Sequence, residues 1–168
     1  MIEIKEHFLP WVDAEKKITP TAIVLHWWEE PINDQGVQYL ADLLEPRGLA
    51  VQFAVLANGD IFQLTPTPDT YGRHAKCAND SAIGIEIEGM GAEDLDANEV
   101  QFGAVVALTR YLKEKYAIAD EFHVDQDSDP MRFYGVTSHK NADVYCPNAN
   151  GKVDVHDEYL ARVIEAVG

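Results

Sequence analysis

Short apolar runs of β type organise this sequence, and two of them end on or next to a histidine. The run over residues 21–28 is apolar at nearly every position and carries His26 near its end. The run over residues 133–139 ends on His139. Apolar runs of this length between polar segments predict strands buried in a sheet. If the two strands are neighbours, their ends bring two imidazoles to one point, where a metal site can form.

Two further patterns predict the rest of the sheet. Residues 81–88 alternate strictly, so that three isoleucines share one face of a strand while Glu86 and Glu88 lie on the other. Residues 51–56 and 61–64 flank an Asn-Gly pair. This pair predicts a β-hairpin, because both of its residues tolerate the positive φ of a tight turn.

Three segments show helical spacing instead. Apolar side chains recur three and four positions apart over residues 35–44, 102–116 and 157–167. For the middle helix, Asp96 followed by Glu99 predicts a capped start.

Strands and helices interleave along the chain, which predicts an α/β fold with a central mixed β-sheet flanked by helices. A length of 168 residues with 46% hydrophobic content suits one domain with a sizeable core. We therefore expect a single domain over residues 1–168, in which residues 1–17 form a lead-in arm.

Charge narrows the classes of partner. Thirteen Lys and Arg against 29 Asp and Glu give a net charge of -16, which repels nucleic acid and anionic membrane surfaces. The amino terminus lacks the pattern of a secretory signal, and no apolar run approaches the roughly 20 residues of a membrane span. We expect a monomer made in the cytoplasm that binds neither nucleic acid nor membrane.

The two cysteines, Cys77 and Cys146, are too few to indicate a disulfide framework. Without a secretory signal, the expected state of both is the reduced thiol.

A metal site built on His26 and His139 needs a third ligand, and two residues qualify. Cys146 offers a thiolate and is followed by a stiffening proline. Asp154 offers a carboxylate, and Lys152, two positions earlier in an extended segment, projects from the same face. Either choice leaves the fourth position of a zinc ion for water, which is typical of a hydrolase.

The water needs a base, and Glu86 suits this role because partial burial on an isoleucine-rich strand raises the pKa of a carboxyl group. Glu88, on the same face, is the alternative. Lys152 is placed to stabilise the oxyanion that forms when water attacks a carbonyl. These residues indicate metal-assisted hydrolysis of an amide or ester.

Five blocks of the chain now resemble, in their order, those of the zinc-dependent N-acetylmuramoyl-L-alanine amidases. The chain is similar to members of the type 2 amidase and peptidoglycan-recognition-protein superfamily from about residue 18 to the last helix. The blocks are Ile23-Val24-Leu25-His26, residues 51–64 with Asn58-Gly59-Asp60, His74-Ala75-Lys76, Ile83-Gly84-Ile85-Glu86 and residues 135–139.

The resemblance implies that His26 and His139 bind Zn²⁺, that Glu86 is the general base and that His74 lines the substrate groove. At Val51 the chain departs from the branch that uses a catalytic tyrosine at a similar position, which leaves the base role to Glu86.

For the third ligand, the family uses Cys or Asp before Pro, often with lysine two positions earlier. Cys146 has the proline without the lysine, whereas Asp154 has the lysine without the proline. We favour Asp154, with Cys146 as the alternative.

The expected substrate is peptidoglycan or a muropeptide, cleaved between N-acetylmuramic acid and the L-alanine of the stem peptide. Trp27 and Trp28 follow His26, and one of them is a candidate for stacking on a sugar or stem peptide.

Two alternatives remain. One is a recognition module that binds peptidoglycan without cutting it, and the other is a structural zinc domain, which the lack of a four-ligand set disfavours. The biological setting is either an endolysin released at lysis or a cytosolic enzyme that recycles wall fragments.

Overall fold

A seven-stranded mixed β-sheet runs through the centre of the molecule in a computed structural model that describes residues 2–168. Its order is β1-β4-β3-β5-β2-β7-β6. The strands are β1 Lys5–Glu6, β2 Ala22–Trp27, β3 Phe53–Val55, β4 Ile61–Gln63, β5 Ala82–Ile87, β6 His123–Asp125 and β7 Arg132–Ser138.

Five α-helices and two short 3-10 helices cover the sheet. The α-helices are α1 Gly36–Leu44, α2 Ala92–Asp96, α3 Glu99–Tyr116, α4 His139–Asp143 and α5 Asp157–Val167. The 3-10 helices span Glu45–Arg47 and Lys76–Asp80. None of the helices in residues 2–168 is long and apolar enough to cross a bilayer.

The three central strands, β5, β2 and β7, run parallel, so their carboxyl ends meet at one edge of the sheet. In this register His26 lies directly opposite Glu86. Leu25 and Ile85, each one position earlier in its strand, point to the other face of the sheet. There they pack into the main core with α3 and α5. A second core lies beneath α1, around Leu40, Leu44 and neighbouring residues. The main core thus lies on one face of the sheet, while His26 and Glu86 lie on the other face, beside the second core.

The predicted α/β fold with a central mixed sheet flanked by helices is confirmed. The two apolar runs that carry the histidines are adjacent strands, the Asn-Gly hairpin forms between β3 and β4, and the last helix spans Asp157–Val167 as expected. The lead-in is largely exposed, but β1 adds an edge strand to the sheet and Leu9 is buried against it.

The predicted start of the long helix is wrong by two residues. Asn98 is its N-cap, and the Asn98 side chain accepts a hydrogen bond from the Gln101 backbone N–H at 3.0 Å. Asp96 instead ends α2 and pairs with His156 at 3.0 Å. Asn98 provides the same capping geometry closer to the apolar stripe, so it prevails over Asp96.

Candidate metal centre and active-site cleft

Three buried side chains meet at the carboxyl end of the central strands. His26 Nδ1 lies 3.1 Å from His139 Nδ1 and 3.2 Å from Asp154 Oδ2, and His139 Nδ1 lies 3.3 Å from the same oxygen. Within residues 2–168 this is the one cluster of three His, Cys, Asp or Glu side chains whose ligand atoms converge in this way.

Local structure fixes each of the three positions. His26 is the penultimate residue of β2. His139 follows β7 and begins α4, where the Ser138 side chain caps the helix by accepting a hydrogen bond from the Asn141 N–H at 3.1 Å. Asp154 is tied to the same helix, because its carbonyl accepts a hydrogen bond from the Lys140 N–H at 2.7 Å. The strand-to-helix junction thus holds two of the three side chains.

The spacing of the three atoms fits a tetrahedral zinc ion. Two ligands at about 2.05 Å from such an ion lie about 3.3 Å apart, close to the three separations observed here. Burial lowers the pKa of His26 to about 4, although the Asp154 hydrogen bond opposes this shift. His26 is therefore neutral at physiological pH, as a metal ligand must be.

His74 sets the tautomer of His26. Burial, followed by the charge of His26, lowers the pKa of His74 well below its usual value, so His74 is also neutral. His74 Nε2 lies 3.2 Å from the Ala82 carbonyl oxygen, which can only accept, so this nitrogen carries the proton. His74 Nδ1 then accepts from His26 Nε2–H at 3.0 Å. The lone pair of His26 Nδ1 is left facing His139 and Asp154, where it is available to a metal ion.

Gly84 makes this contact possible. A Cβ at residue 84 would lie 2.7 Å from His74 Nδ1 and 2.6 Å from the Val51 side chain. Only glycine lets the His74 ring lie against β5 and reach His26. His74, predicted to line the substrate groove, thus also contacts His26, a candidate metal ligand.

The alternative ligand Cys146 is excluded by its bonding. Cys77 and Cys146, 69 residues apart, form a disulfide, so neither offers a thiolate to a metal. The expectation of two reduced thiols is therefore wrong. The disulfide joins the 3-10 helix beside His74 to the segment after α4, two segments whose proximity local sequence patterns do not reveal.

Replacing both cysteines with serine is expected to lower the free energy of unfolding by about 2–4 kcal/mol, because the cross-link restricts a long loop of the unfolded chain. Urea denaturation of the Cys77→Ser/Cys146→Ser variant beside the oxidised protein measures this. An oxidised protein with the same unfolding midpoint as the double variant would contradict the prediction.

Asp143, which the sequence patterns did not single out, organises the segment that carries Lys152 and Asp154. One oxygen of its buried carboxylate accepts hydrogen bonds from the N–H groups of Asn150, Gly151 and Lys152 at 3.0–3.3 Å. The other accepts from Lys76 Nζ at 2.7 Å. Burial alone would raise the pKa of Asp143, but the hydrogen bonds from Lys76 and the loop lower it to about 2. The carboxylate therefore stays ionised and holds the loop in place.

The Glu86 carboxyl group lies beside the cluster. Its Oε2 is buried and has no hydrogen-bond partner within residues 2–168. Burial, followed by the charge of Asp154, raises the pKa of Glu86 well above its usual value. An unpartnered carboxyl group with a raised pKa is suited to accept and return a proton.

Glu88 has a different role from the one considered for it. Its carboxylate accepts hydrogen bonds from the backbone N–H groups of Ala57 at 2.7 Å and Asn33 at 3.3 Å. Glu88 therefore joins the β-hairpin to the loop before α1, and its acceptor oxygens are already engaged.

A cleft of about 390 Å³ opens over these groups. Its lining includes all three cluster residues together with Glu86, His74 and Lys152. Trp27, Trp28 and Val51 also border it. Trp28 is buried beneath α1 with its Nε1 unpartnered in the described chain, whereas Trp27 packs partly on the opposite core. The cleft thus brings together the residues for which the sequence predicted a site role, except the two alternatives Cys146 and Glu88.

The chain was compared with protein families, curated proteins and solved structures. The model of a family described as N-acetylmuramoyl-L-alanine amidase matches residues 16–154. No curated protein matches the chain.

Two solved structures from Clostridium intestinale URNW share its fold. The N-acetylmuramoyl-L-alanine amidase LysC has 22% identity and a TM-score of 0.69, over 99% of this chain and 97% of its own. The endolysin amidase LysCS has 21% identity and a TM-score of 0.71, over 98% and 97%. The match of the family model over most of the chain shows that the protein belongs to the N-acetylmuramoyl-L-alanine amidase family.

Proposed function

We propose that this amidase hydrolyses the amide bond between N-acetylmuramic acid and the L-alanine of the peptidoglycan stem peptide with Zn²⁺ held by His26, His139 and Asp154. The observation that carries the metal assignment is the convergence of these three buried ligand atoms at separations of 3.1–3.3 Å. Two nitrogen ligands and one carboxylate, open to a cleft, are the donor set of a catalytic zinc site.

When bound, zinc supplies a Lewis acid that polarises the amide carbonyl and increases the acidity of water. Glu86 accepts a proton as the water oxygen bonds to the carbonyl carbon. The Lys152 ammonium stabilises the negative charge on the carbonyl oxygen. Glu86 then returns the proton to the amide nitrogen as the carbon–nitrogen bond breaks, which releases the amino group of L-alanine.

His74 acts through His26. Its hydrogen bond keeps the proton on His26 Nε2, so that Nδ1 stays available to the metal. We propose that Trp28 contributes to substrate binding from the wall of the cleft, because its indole N–H has no partner in the described residues.

The Lys152→Gln variant should lose about 10²–10³-fold in kcat, the typical effect of removing one oxyanion donor. Steady-state kinetics on a soluble muropeptide measure this. Lys113→Gln is the control, because Lys113 of α3 pairs with Asp120 and does not line the cleft. Equal kcat values for the two variants would remove Lys152 from the mechanism.

The decisive test of the function combines zinc analysis with turnover of purified peptidoglycan. We expect about one zinc per chain and the release of peptides with a free L-alanine amino terminus, identified by mass spectrometry. Zinc binding without peptide release would instead indicate a recognition module.

We infer that the enzyme acts outside the reducing cytosol, as an endolysin does. The Cys77–Cys146 disulfide supports this setting, because a reducing compartment keeps cysteines as free thiols. Alkylation of free thiols before and after cell lysis tests the inference, and a disulfide already complete in intact cytosol would contradict it.

A further inference from the structure

The cleft has a larger share of cations than the rest of this strongly acidic protein, because four cations and four carboxylates line it. The chain has 13 Lys and Arg against 29 Asp and Glu. Four of those 13 cations, Arg47, Arg73, Lys76 and Lys152, nevertheless line this one cleft. Two of them already have roles, because Lys76 binds Asp143 and Lys152 lies beside the metal centre.

The other two cations, Arg47 and Arg73, lie side by side on one rim. Arg47 ends the 3-10 helix that follows α1. The Nη1 atom of Arg73 lies 3.8 Å from where a Cβ would project at Gly48, the residue after Arg47. The Arg73 carbonyl also accepts a hydrogen bond from the Ala50 N–H at 3.1 Å, which ties the two segments together. The backbone therefore holds two guanidinium-bearing residues on the same edge of the cleft.

Neither arginine forms an ion pair or side-chain hydrogen bond within residues 2–168, although acidic residues are abundant. By contrast, Arg162 pairs with Asp96 and Glu99, and Lys5 pairs with Asp60. Four acidic residues line the same cleft: Glu29 and Glu30 lie on the segment after β2, and Glu86 and Asp154 belong to the candidate site.

Two arginines on one rim, neither with an ion pair or side-chain hydrogen bond in the described residues, can together bind an anion. Arginine binds carboxylates with paired N–H donors in a planar geometry, which also selects against a neutral amide of the same shape. The positive charge of Arg47 opposes the rise in the pKa of Glu86. Both residues line the same cleft.

We propose that Arg47 and Arg73 form a carboxylate subsite that makes the amidase selective for stem peptides with a free carboxylate beyond the L-alanine. This inference rests on the proposed function, because it assigns specificity to the same cleft. A peptide whose corresponding carboxylate is converted to a carboxamide loses the ionic contact but keeps its size and its scissile bond.

Paired synthetic substrates test the proposal. Both are N-acetylmuramoyl-L-alanyl peptides, and they differ only in whether the second residue carries a free carboxylate or the carboxamide. For the zinc-loaded protein we expect kcat/KM to be about 10–100-fold higher for the carboxylate, with most of the difference in KM, as for the loss of a charge-assisted contact.

The Arg47→Gln/Arg73→Gln variant should bring this ratio close to one. The Arg110→Gln variant is the control, since Arg110 lies on α3 and donates to the Ala166 carbonyl. It should keep the full preference.

Three outcomes are distinguishable. Equal cleavage of both substrates by the unaltered protein, or a preference that persists in the double variant, overturns the subsite while leaving the amidase function intact. Cleavage of neither substrate overturns the proposed function, and the subsite with it.

Discussion

The Asp154→Asn variant is expected to bind zinc more than about 100-fold more weakly than the unaltered protein and to lose hydrolysis in proportion. Changes to groups that only support a ligand already cost about 10–100-fold in metal affinity, so loss of the one anionic ligand should cost more. The asparagine keeps the size of the side chain but removes the charge that faces His26 and His139. Competition with a chromophoric zinc chelator measures the affinity.

The Cys77→Ser/Cys146→Ser variant is the matched comparison, because it removes Cys146, the alternative candidate for the third zinc ligand. It should retain one zinc per chain, since Cys146 is bonded to Cys77. Loss of zinc in the cysteine variant together with retention in Asp154→Asn would reverse the assignment of the third ligand.

The Glu86→Gln variant should keep its zinc and its fold but lose about 10²–10⁴-fold in kcat, the usual contribution of a general base. Glutamine fills the same space at the edge of the cleft but cannot accept the proton of the attacking water. Zinc analysis and turnover on one soluble muropeptide measure both properties in the same preparation. Turnover close to that of the unaltered protein would exclude Glu86 as the base.

The same substitution should raise the stability of the metal-free protein at neutral pH. The pKa of Glu86 is raised in the folded state, so its favourable contribution is present below the unfolded value of 4.5 and is lost as the pH rises through the folded pKa. Glutamine does not titrate, so the variant escapes the loss of stability that the raised pKa of Glu86 causes as the pH rises above 4.5.

Glu88→Gln, one residue beyond the end of β5, is the control, and it should lower stability without changing turnover. Glutamine accepts fewer hydrogen bonds from Ala57 and Asn33, so stability falls while turnover remains. Chemical denaturation of the two variants at pH 7 separates the roles of the two glutamates.

Much of the fold and part of the candidate site follow from local patterns. The apolar runs that carry His26 and His139 are strands because their periodicity is a property of a few consecutive residues. Glu86 is recognisable for the same reason, since strict alternation assigns it a face. Local pattern makes Asp154 one of two candidates for the third ligand, and preferring it to Cys146 depends on the resemblance to the amidase family.

The residues that sequence analysis missed act over long distances. The Cys77–Cys146 bond joins positions 69 residues apart, and no local pattern encodes it. Asp143 is recognisable as a loop organiser only when the N–H groups of three later residues are seen around it. Arg47 and Arg73 line one cleft although they lie on separate segments, which the hydrogen bond from the Ala50 N–H to the Arg73 carbonyl ties together. β6 is short and largely exposed, so it lacks an apolar signature.

The pairing of His26 with Glu86 across two parallel strands has a consequence for how such enzymes can diversify. The separation between the proposed base and this proposed ligand is set by the strand spacing of about 4.8 Å, which backbone hydrogen bonds maintain. Side chains on the rim, such as Arg47 and Arg73, belong to connecting segments that can change in length and composition without moving that pair. Substrate preference can therefore evolve independently of the hydrolytic geometry.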